Sequence, residues 1–128
     1  MIVAGVGCKR GTPAPDIEAA IRAALARANL EIAVLDAVAT TTAKAAEPGI
    51  GGAAARLGVS IVLVSDADLK AAGARTETRS ARVLALTGAP SLAEAAALAA
   101  AGSSAHLIGP RLVLGTATCA LAVSGAAP

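Results

Sequence analysis

The sequence predicts a three-layer α/β/α domain with a mixed, mostly parallel sheet of about five strands. Short apolar runs alternate along the chain with segments whose apolar residues recur at helical spacing, which is typical of α/β folds. The run from Val59 to Val64 is mostly β-branched and aliphatic, which favours a central strand. Too few residues separate the last two apolar runs for a helical crossover, so we expect the last strand pair to be antiparallel.

Local signals place the individual elements. Thr12 is a good N-cap and Pro13 suits a first helical position, so a long helix should follow them and end at Asn29. Gly58 is expected to end the next helix. The predicted strands are the apolar run from Ile2, then 32–39, 59–64, 105–108 and 116–123, and the predicted helices are 13–28, 50–57, 66–72, a turn over 83–88, and 91–101.

The chain length of 128 residues suits one domain, which we place at 1–123 with a flexible tail at 124–128. The sequence has no Phe, Tyr or Trp and is rich in alanine, so the core must consist of Ala, Val, Leu and Ile. Each of these side chains buries little area, and stability should therefore be modest unless the protein forms oligomers. This composition is compatible with a homodimer.

Several classes of function are disfavoured by composition. Without aromatic side chains there is no stacking platform for single-stranded nucleic acid, and a net charge of +2 spread along the chain gives no basic footprint. The opening apolar run is too short for a membrane span or a signal core. Cys8 and Cys119 are far apart and fit a reduced, cytosolic protein, while His106 should be a packed strand residue. We therefore expect no metal site, no membrane partner and a cytoplasmic location.

The opening stretch is the best candidate for a binding site. After the first strand come glycines at 5, 7 and 11, with Lys9 and Arg10 between the last two, and a helix start. Free backbone N–H groups, a helix dipole and two cations would together bind an anion. A nicotinamide cofactor is not expected, because the sixth place of the dinucleotide motif is Arg10 instead of glycine. The simpler alternative is a tight turn with solvated cations.

Other basic and hydroxylic residues follow predicted strands or helix boundaries. They are Thr40 to Lys44, Ser65 and Thr76 to Ser80, and the polar run 74–82 is the best candidate for a mobile loop. If the first three strands are parallel, these residues share one edge with Lys9 and Arg10. Such an edge suits a ligand with several carboxylates or phosphates, although ordinary loop residues are the alternative interpretation.

No residue set indicates nucleophilic catalysis. A Ser-His-Asp triad would have to use His106, and no nucleophile-elbow motif is present. Cys8 beside two cations could be reactive, although a small residue in a tight turn is the simpler interpretation. Acid–base work would require Glu47, Asp66 or Glu94, and Glu94 is better explained by a capping box with Ser91. We therefore assign no catalytic residue.

Four ordered motifs carry a resemblance to a known family. They are Gly5-x-Gly7-Cys8-Lys9-Arg10-Gly11, Thr42-x-Lys44-x-x-Glu47-x-Gly49, Ser80-x-x-Val83 with Gly88-x-Pro90-Ser91-Leu-Ala-Glu94, and Gly115-x-Ala117-Thr118-Cys-Ala120. In this order they resemble the CobE/CbiG C-terminal family of cobalamin biosynthesis proteins, over essentially the whole chain. One departure is Arg111, where the family usually has lysine. The positive charge is kept there, but the planar guanidinium of arginine can donate two parallel hydrogen bonds to a carboxylate, whereas the ammonium of lysine acts as a compact point charge.

The resemblance implies a role in the corrin pathway. In longer relatives this domain belongs to a protein that opens the ring-fused lactone of a cobalt-precorrin and releases acetaldehyde, and this chain looks like the stand-alone form. The leading hypothesis is a protein that binds or carries a carboxylate-rich corrin intermediate. The alternatives are a contribution to cobalt-precorrin-5A lactone hydrolysis, with Glu47 positioning water and Lys44 stabilising the oxyanion, or docking onto another pathway enzyme. The predicted ligand-binding residues are Gly7, Cys8, Lys9, Arg10, Gly11, Thr12, Thr42, Lys44, Glu47 and Ser80, with no cofactor of the protein's own.

Overall fold

The computed structural model describes residues 1–42, 47–73, 92–102 and 104–124. The predicted loop at 74–82, the predicted turn at 83–88 and the Ser91 cap lie outside the described residues. So do residues 125–128 of the predicted tail. Ser124, the last described residue, donates its N–H to the carbonyl of Met1 at 2.9 Å.

Within the described residues six strands form one sheet; the first three alternate with helices as expected, and the last three follow one another without a helix. The strands are β1 (Ile2–Cys8), β2 (Leu35–Thr41), β3 (Ser60–Val64), β4 (His106–Leu107), β5 (Leu112–Leu114) and β6 (Ala117–Val123). The helices of the described residues are α1 (Ala14–Arg27), α2 (Pro48–Leu57), α3 (Asp66–Gly73) and α4 (Leu92–Ala101).

The sheet is mixed, in the order β3-β2-β1-β6-β4, with β5 also paired to β6. β1, β2 and β3 are parallel, whereas β6 is antiparallel to β1, β4 and β5. The predicted antiparallel pairing of the last strands is confirmed by His106 opposite Val123. The described residues contain six strands instead of about five, because β5 was not predicted.

The helices cover both faces of the sheet, which confirms the three layers. Ile17 and Ile21 of α1 and Ile50 of α2 pack with Val6 and Val38 on one face. On the other face Leu69 of α3 and the alanines of α4 pack against Val3 and Ala39. As expected from composition, the hydrophobic side chains that form the two cores among the described residues are aliphatic residues and alanine, with cysteine in the first core.

Three predicted element starts are wrong, and one of them is that of α2, which begins at Pro48 instead of residue 50. Residues 32–34 form a short 3₁₀ turn, with the Val34 N–H donating to the backbone carbonyl of Glu31 at 3.2 Å, so β2 begins at Leu35. Thr12 is not the N-cap of α1: Pro13 holds that position, without a side-chain cap bond. The reason is that the Thr12 hydroxyl donates to the carbonyl of Lys9 at 2.7 Å instead. The predicted helix ends at Asn29 and Gly58 are confirmed, since both residues have positive φ.

Gly5 sets the distance between α4 and the sheet. A Cβ at this position would lie 2.0 Å from the carbonyl oxygen of Ala93 and 2.7 Å from the nitrogen of Ala97. On the sheet, Gly5 lies between Ala39 of β2 and Ala120 of β6, whose side chains are single methyl groups. The alanine-rich helix therefore rests almost directly on the backbone of β1. No helix among the described residues is both long and apolar enough to cross a membrane.

Glu18 joins α1 to α2 and gives stability a pH dependence. Its carboxylate pairs with Arg56 at 2.5 Å and with Arg22 at 2.8 Å, and the hydrogen bonds from Arg56 and then Arg22 lower the pKa of Glu18. Because the pKa of Glu18 is lower in the folded state than in the unfolded state, its carboxylate stabilises the fold at pH values above the ordinary glutamate pKa. This stabilisation is lost as the pH falls through the folded-state pKa. We expect Glu18→Gln to lower the melting temperature at neutral pH and to match the unmodified protein in strong acid. An equal difference at both pH values would contradict this.

Candidate anion-binding site

The ends of three parallel strands and the starts of three helices meet at one edge of the sheet, here called the carboxyl edge. β1, β2 and β3 end there, and α1, α2 and α3 begin there. β6 runs antiparallel to β1 and begins beside Cys8, so the turn between β5 and β6 joins the same edge. The positive ends of helix dipoles are thus gathered at the carboxyl edge.

The β1–α1 loop, residues 9–13, is held by the β5–β6 turn. Lys9 donates its N–H to the carbonyl of Thr116 at 3.0 Å, and the hydroxyls of Thr12 and Thr116 lie 2.9 Å apart. Because the Thr12 hydroxyl proton goes to the Lys9 carbonyl, Thr116 donates in this hydroxyl pair. Thr12 N–H also donates to the Lys9 carbonyl, at 3.2 Å. Gly11 completes the tight loop with a φ of 82°.

Glu47 holds the same loop from the other side. Its Oε1 accepts the Gly11 N–H at 2.8 Å, although the two residues are 36 positions apart. The expectation of free N–H groups across this loop is therefore wrong for Lys9, Gly11 and Thr12, whose amides have protein acceptors. The acceptors are carbonyls in two cases and a carboxylate in the third. Among the described residues the Arg10 N–H has no acceptor.

Lys9 and Arg10 supply the available positive charge. Both residues are exposed. Within the described parts of the chain, the ion pairs belong to Glu18, and neither Lys9 nor Arg10 takes part in one. The loop therefore presents two cations to solvent from a backbone that is fixed on both sides. An anion would bind here mainly through these two side chains, with the Arg10 N–H as a remaining backbone donor.

The hydroxyl groups of this edge differ in their availability. Thr40 is 1 % exposed, and its hydroxyl donates to the carbonyl of Val6 at 3.0 Å. The Ser65 hydroxyl accepts the Asp68 N–H at 3.2 Å and so caps the start of α3. Thr42 is exposed and follows β2 directly, which leaves it as an accessible hydroxyl. Lys44 and Ser80, two of the predicted ligand residues, lie outside the described residues.

The remaining predicted ligand residues lie in or beside β1. Gly7 is buried, and a Cβ there would lie 3.2 Å from Cδ2 of Leu92 in α4. Cys8 is half-buried and pairs with Ala117. Cys119, by contrast, is fully buried, and its desolvation raises the pKa of the thiol to about 12, so it is no nucleophile at neutral pH.

Glu94 is a buried carboxylate at the start of α4. It is fully buried, and its Oε2 accepts the backbone N–H of Arg111 at 3.0 Å. This bond ties α4 to the residue before β5, while the predicted capping partner Ser91 lies outside the described residues.

His106 is in a strand as predicted, but it is exposed instead of packed. No set of three potential metal ligands converges within the described ranges.

Sequence reasoning missed two residues that shape this site. Thr116 belongs to a two-residue hairpin turn, and the pattern of Gly115-Thr116 between two apolar runs could have revealed it. Gly49 contacts the loop from α2, since a Cβ there would lie 2.1 Å from the carbonyl oxygen of Thr12. No local pattern signals such a contact between residues distant in sequence.

The fold and this edge together define a three-layer α/β domain with a basic loop at the carboxyl ends of its parallel strands. Residues 2–122 match the family described as Cobalamin synthesis G C-terminus, so the chain belongs to that family and to the cobalamin biosynthesis pathway. The chain is 40 % identical over 121 residues to Protein CobE of Sinorhizobium sp., covering 94 % of this chain and 79 % of that protein.

Solved structures agree with this assignment. The crystal structure of CobE, a protein from the cobalamin biosynthetic pathway, matches with a TM-score of 0.89 and 36 % identity, over 95 % of this chain and 89 % of that one. Cobalamin biosynthesis protein chiG from Agrobacterium tumefaciens matches with a TM-score of 0.79 and 42 % identity, over 98 % and 100 %. A cobalamin biosynthesis protein G homolog from Sulfolobus solfataricus shares the fold, with a TM-score of 0.71 and 21 % identity, over 97 % of this chain and 37 % of that one.

Proposed function

We propose that this domain binds a corrin intermediate through its carboxylates and holds it or hands it over. Membership of a cobalamin synthesis family supports a ligand from that pathway. The observation that carries the proposal is the exposed pair Lys9 and Arg10 on a loop that is hydrogen-bonded from two sides. Corrin intermediates carry carboxylates around the macrocycle, so a fixed cationic loop at its edge is complementary to them.

The ligand would meet further residues of the carboxyl edge. Thr42, at the end of β2, is exposed and can donate a hydrogen bond to a second carboxylate. Lys44 and Ser80 are proposed to complete the set. The starts of α1 and α2 add the positive ends of their dipoles.

Replacing both loop cations should weaken corrin binding. In Lys9→Ala/Arg10→Ala the hydrogen bonds of the loop backbone remain, but the charged donors are lost. We expect the dissociation constant for cobyrinic acid, a corrin whose side chains end in free carboxylates, to rise roughly tenfold or more. Affinity is read from visible absorbance that co-elutes with the protein on a sizing column, and peptide-bond absorbance follows the protein because it has no Trp or Tyr.

The control is Arg22→Ala/Lys70→Ala, which removes the same charge from exposed helix positions away from the loop. It should retain the affinity of the unmodified protein. Cobalamin, whose corresponding side chains are amidated, should bind weakly to every variant. Unchanged affinity in Lys9→Ala/Arg10→Ala would contradict the proposal.

Analysis of the co-eluting peak separates the carrier from the enzymatic alternative. An unaltered corrin in the peak supports a carrier. Release of acetaldehyde from a lactone-bearing intermediate would instead support a contribution to lactone hydrolysis. Colour that never moves with the protein would overturn the carrier hypothesis and favour docking onto another pathway enzyme.

A further inference from the structure

We propose that Glu47 is a positioning residue, which holds the β1–α1 loop in the conformation that presents Lys9 and Arg10 to a ligand carboxylate. This inference rests on the proposed function and assigns Glu47 a role other than direct ligand contact. The observation behind it is the 2.8 Å hydrogen bond from Gly11 N–H to Glu47 Oε1. Gly11 directly follows the two cations in the sequence.

Two contacts from one short segment hold the loop on the α2 side. Glu47 bonds to Gly11, and two residues later Gly49 lies against the carbonyl of Thr12, so closely that a Cβ would be 2.1 Å from the oxygen. Glu47 precedes α2 at the N-cap position, but its side chain makes no cap bond to that helix. The carboxylate is therefore committed to the neighbouring loop rather than to its own helix.

Charge argues against direct contact between Glu47 and the ligand. A carboxylate that faced a ligand carboxylate would repel it, and this repulsion acts against binding. As an acceptor for Gly11, the same carboxylate can fix the loop in advance, so that less conformational entropy is lost when the ligand binds. The hydrogen bond and the negative charge thus have opposite effects on affinity, and mutations can separate them.

Glu47→Gln keeps an oxygen acceptor for Gly11 and removes the charge, whereas Glu47→Ala removes both. We expect Glu47→Gln to bind cobyrinic acid at least as tightly as the unmodified protein does. Glu47→Ala should bind it about two- to tenfold more weakly than Glu47→Gln, the range of one modest hydrogen bond. Exchange of the Gly11 amide proton with solvent, measured by NMR, should be faster in Glu47→Ala and nearly unchanged in Glu47→Gln.

The matched control is the pair Glu31→Gln and Glu31→Ala. Glu31 is exposed and precedes β2, at the opposite edge of the sheet. Its replacement therefore changes the net charge by the same amount as replacement of Glu47, but does not contact the β1–α1 loop. Both control variants should show the same affinity and the same Gly11 exchange.

The possible results separate the two proposals. Equal affinity of Glu47→Gln and Glu47→Ala, with slow Gly11 exchange in both, would overturn the positioning role while leaving corrin binding intact. An equal loss of affinity in both variants would show that the carboxylate itself contacts the ligand, and would also overturn it. If the unmodified protein binds no cobyrinic acid, the proposed function fails, and the role of Glu47 in ligand binding fails with it.

Discussion

Gly5→Ala should unfold this protein or lower its free energy of unfolding by about 3 kcal/mol or more, the upper range for overpacked cores. The added Cβ would lie 2.0 Å from the carbonyl oxygen of Ala93, 2.7 Å from the nitrogen of Ala97 and 2.9 Å from its Cβ. Backbone atoms and an alanine have no rotamer through which to move away. The helix α4 would have to shift as a whole, and it contributes a large part of the buried core on its face of the sheet.

Gly51→Ala is the appropriate control. The nearest atom to its added Cβ, Cδ1 of Ile61, lies 3.9 Å away, and the position is inside a helix. Alanine in place of glycine in a helix interior should stabilise the protein by about 0.5–1 kcal/mol. Urea unfolding followed by far-ultraviolet circular dichroism measures both variants. A Gly5→Ala protein within about 1 kcal/mol of the unmodified one would show that α4 does not rest on β1 this closely.

The contrast between Gly5 and Gly11 shows how far glycines can be interpreted from sequence. The sequence places both in a predicted anion-binding stretch, but only Gly11 lies in the loop, where a φ of 82° favours glycine. Gly5 and Gly7 are buried strand residues below α4, and their small size serves packing. The alternation of strands and helices was sufficient to predict three layers, because it depends on the periodicity of each segment alone. Distances between layers depend on pairs of residues far apart in sequence.

The same distinction applies to the candidate site. That Lys9, Arg10 and Thr42 follow parallel strands was predictable, since such loops share one edge of a sheet. The hydrogen-bond partners of the loop were not, because Glu47 and Thr116 come from distant segments. The three-residue strand β5 was missed because so short a run carries little periodicity, although its hairpin turn is recognisable. Composition, by contrast, correctly predicted an aliphatic core.

Gly49→Ala should lower both stability and corrin affinity. The added Cβ would lie 2.1 Å from the carbonyl oxygen of Thr12 and 3.1 Å from Cδ1 of Ile17. Relief of the first contact requires the start of α2 and the β1–α1 loop to separate, and this breaks the geometry of the hydrogen bond from Gly11 to Glu47. We expect a loss of about 2 kcal/mol in the free energy of unfolding and a roughly tenfold weaker binding of cobyrinic acid.

Gly52→Ala separates the two effects, because its added Cβ would lie 2.9 Å from the Cβ of Ala14 in α1 and not against the loop. It should lower stability by a similar amount, since two packed helices must move apart. Its corrin affinity, measured under conditions where both variants are folded, should stay close to that of the unmodified protein. Equal affinities of Gly49→Ala and Gly52→Ala would mean that the position of the β1–α1 loop does not control binding. A loss of corrin affinity in Gly49→Ala alone would instead show that the contact between α2 and the β1–α1 loop controls ligand binding.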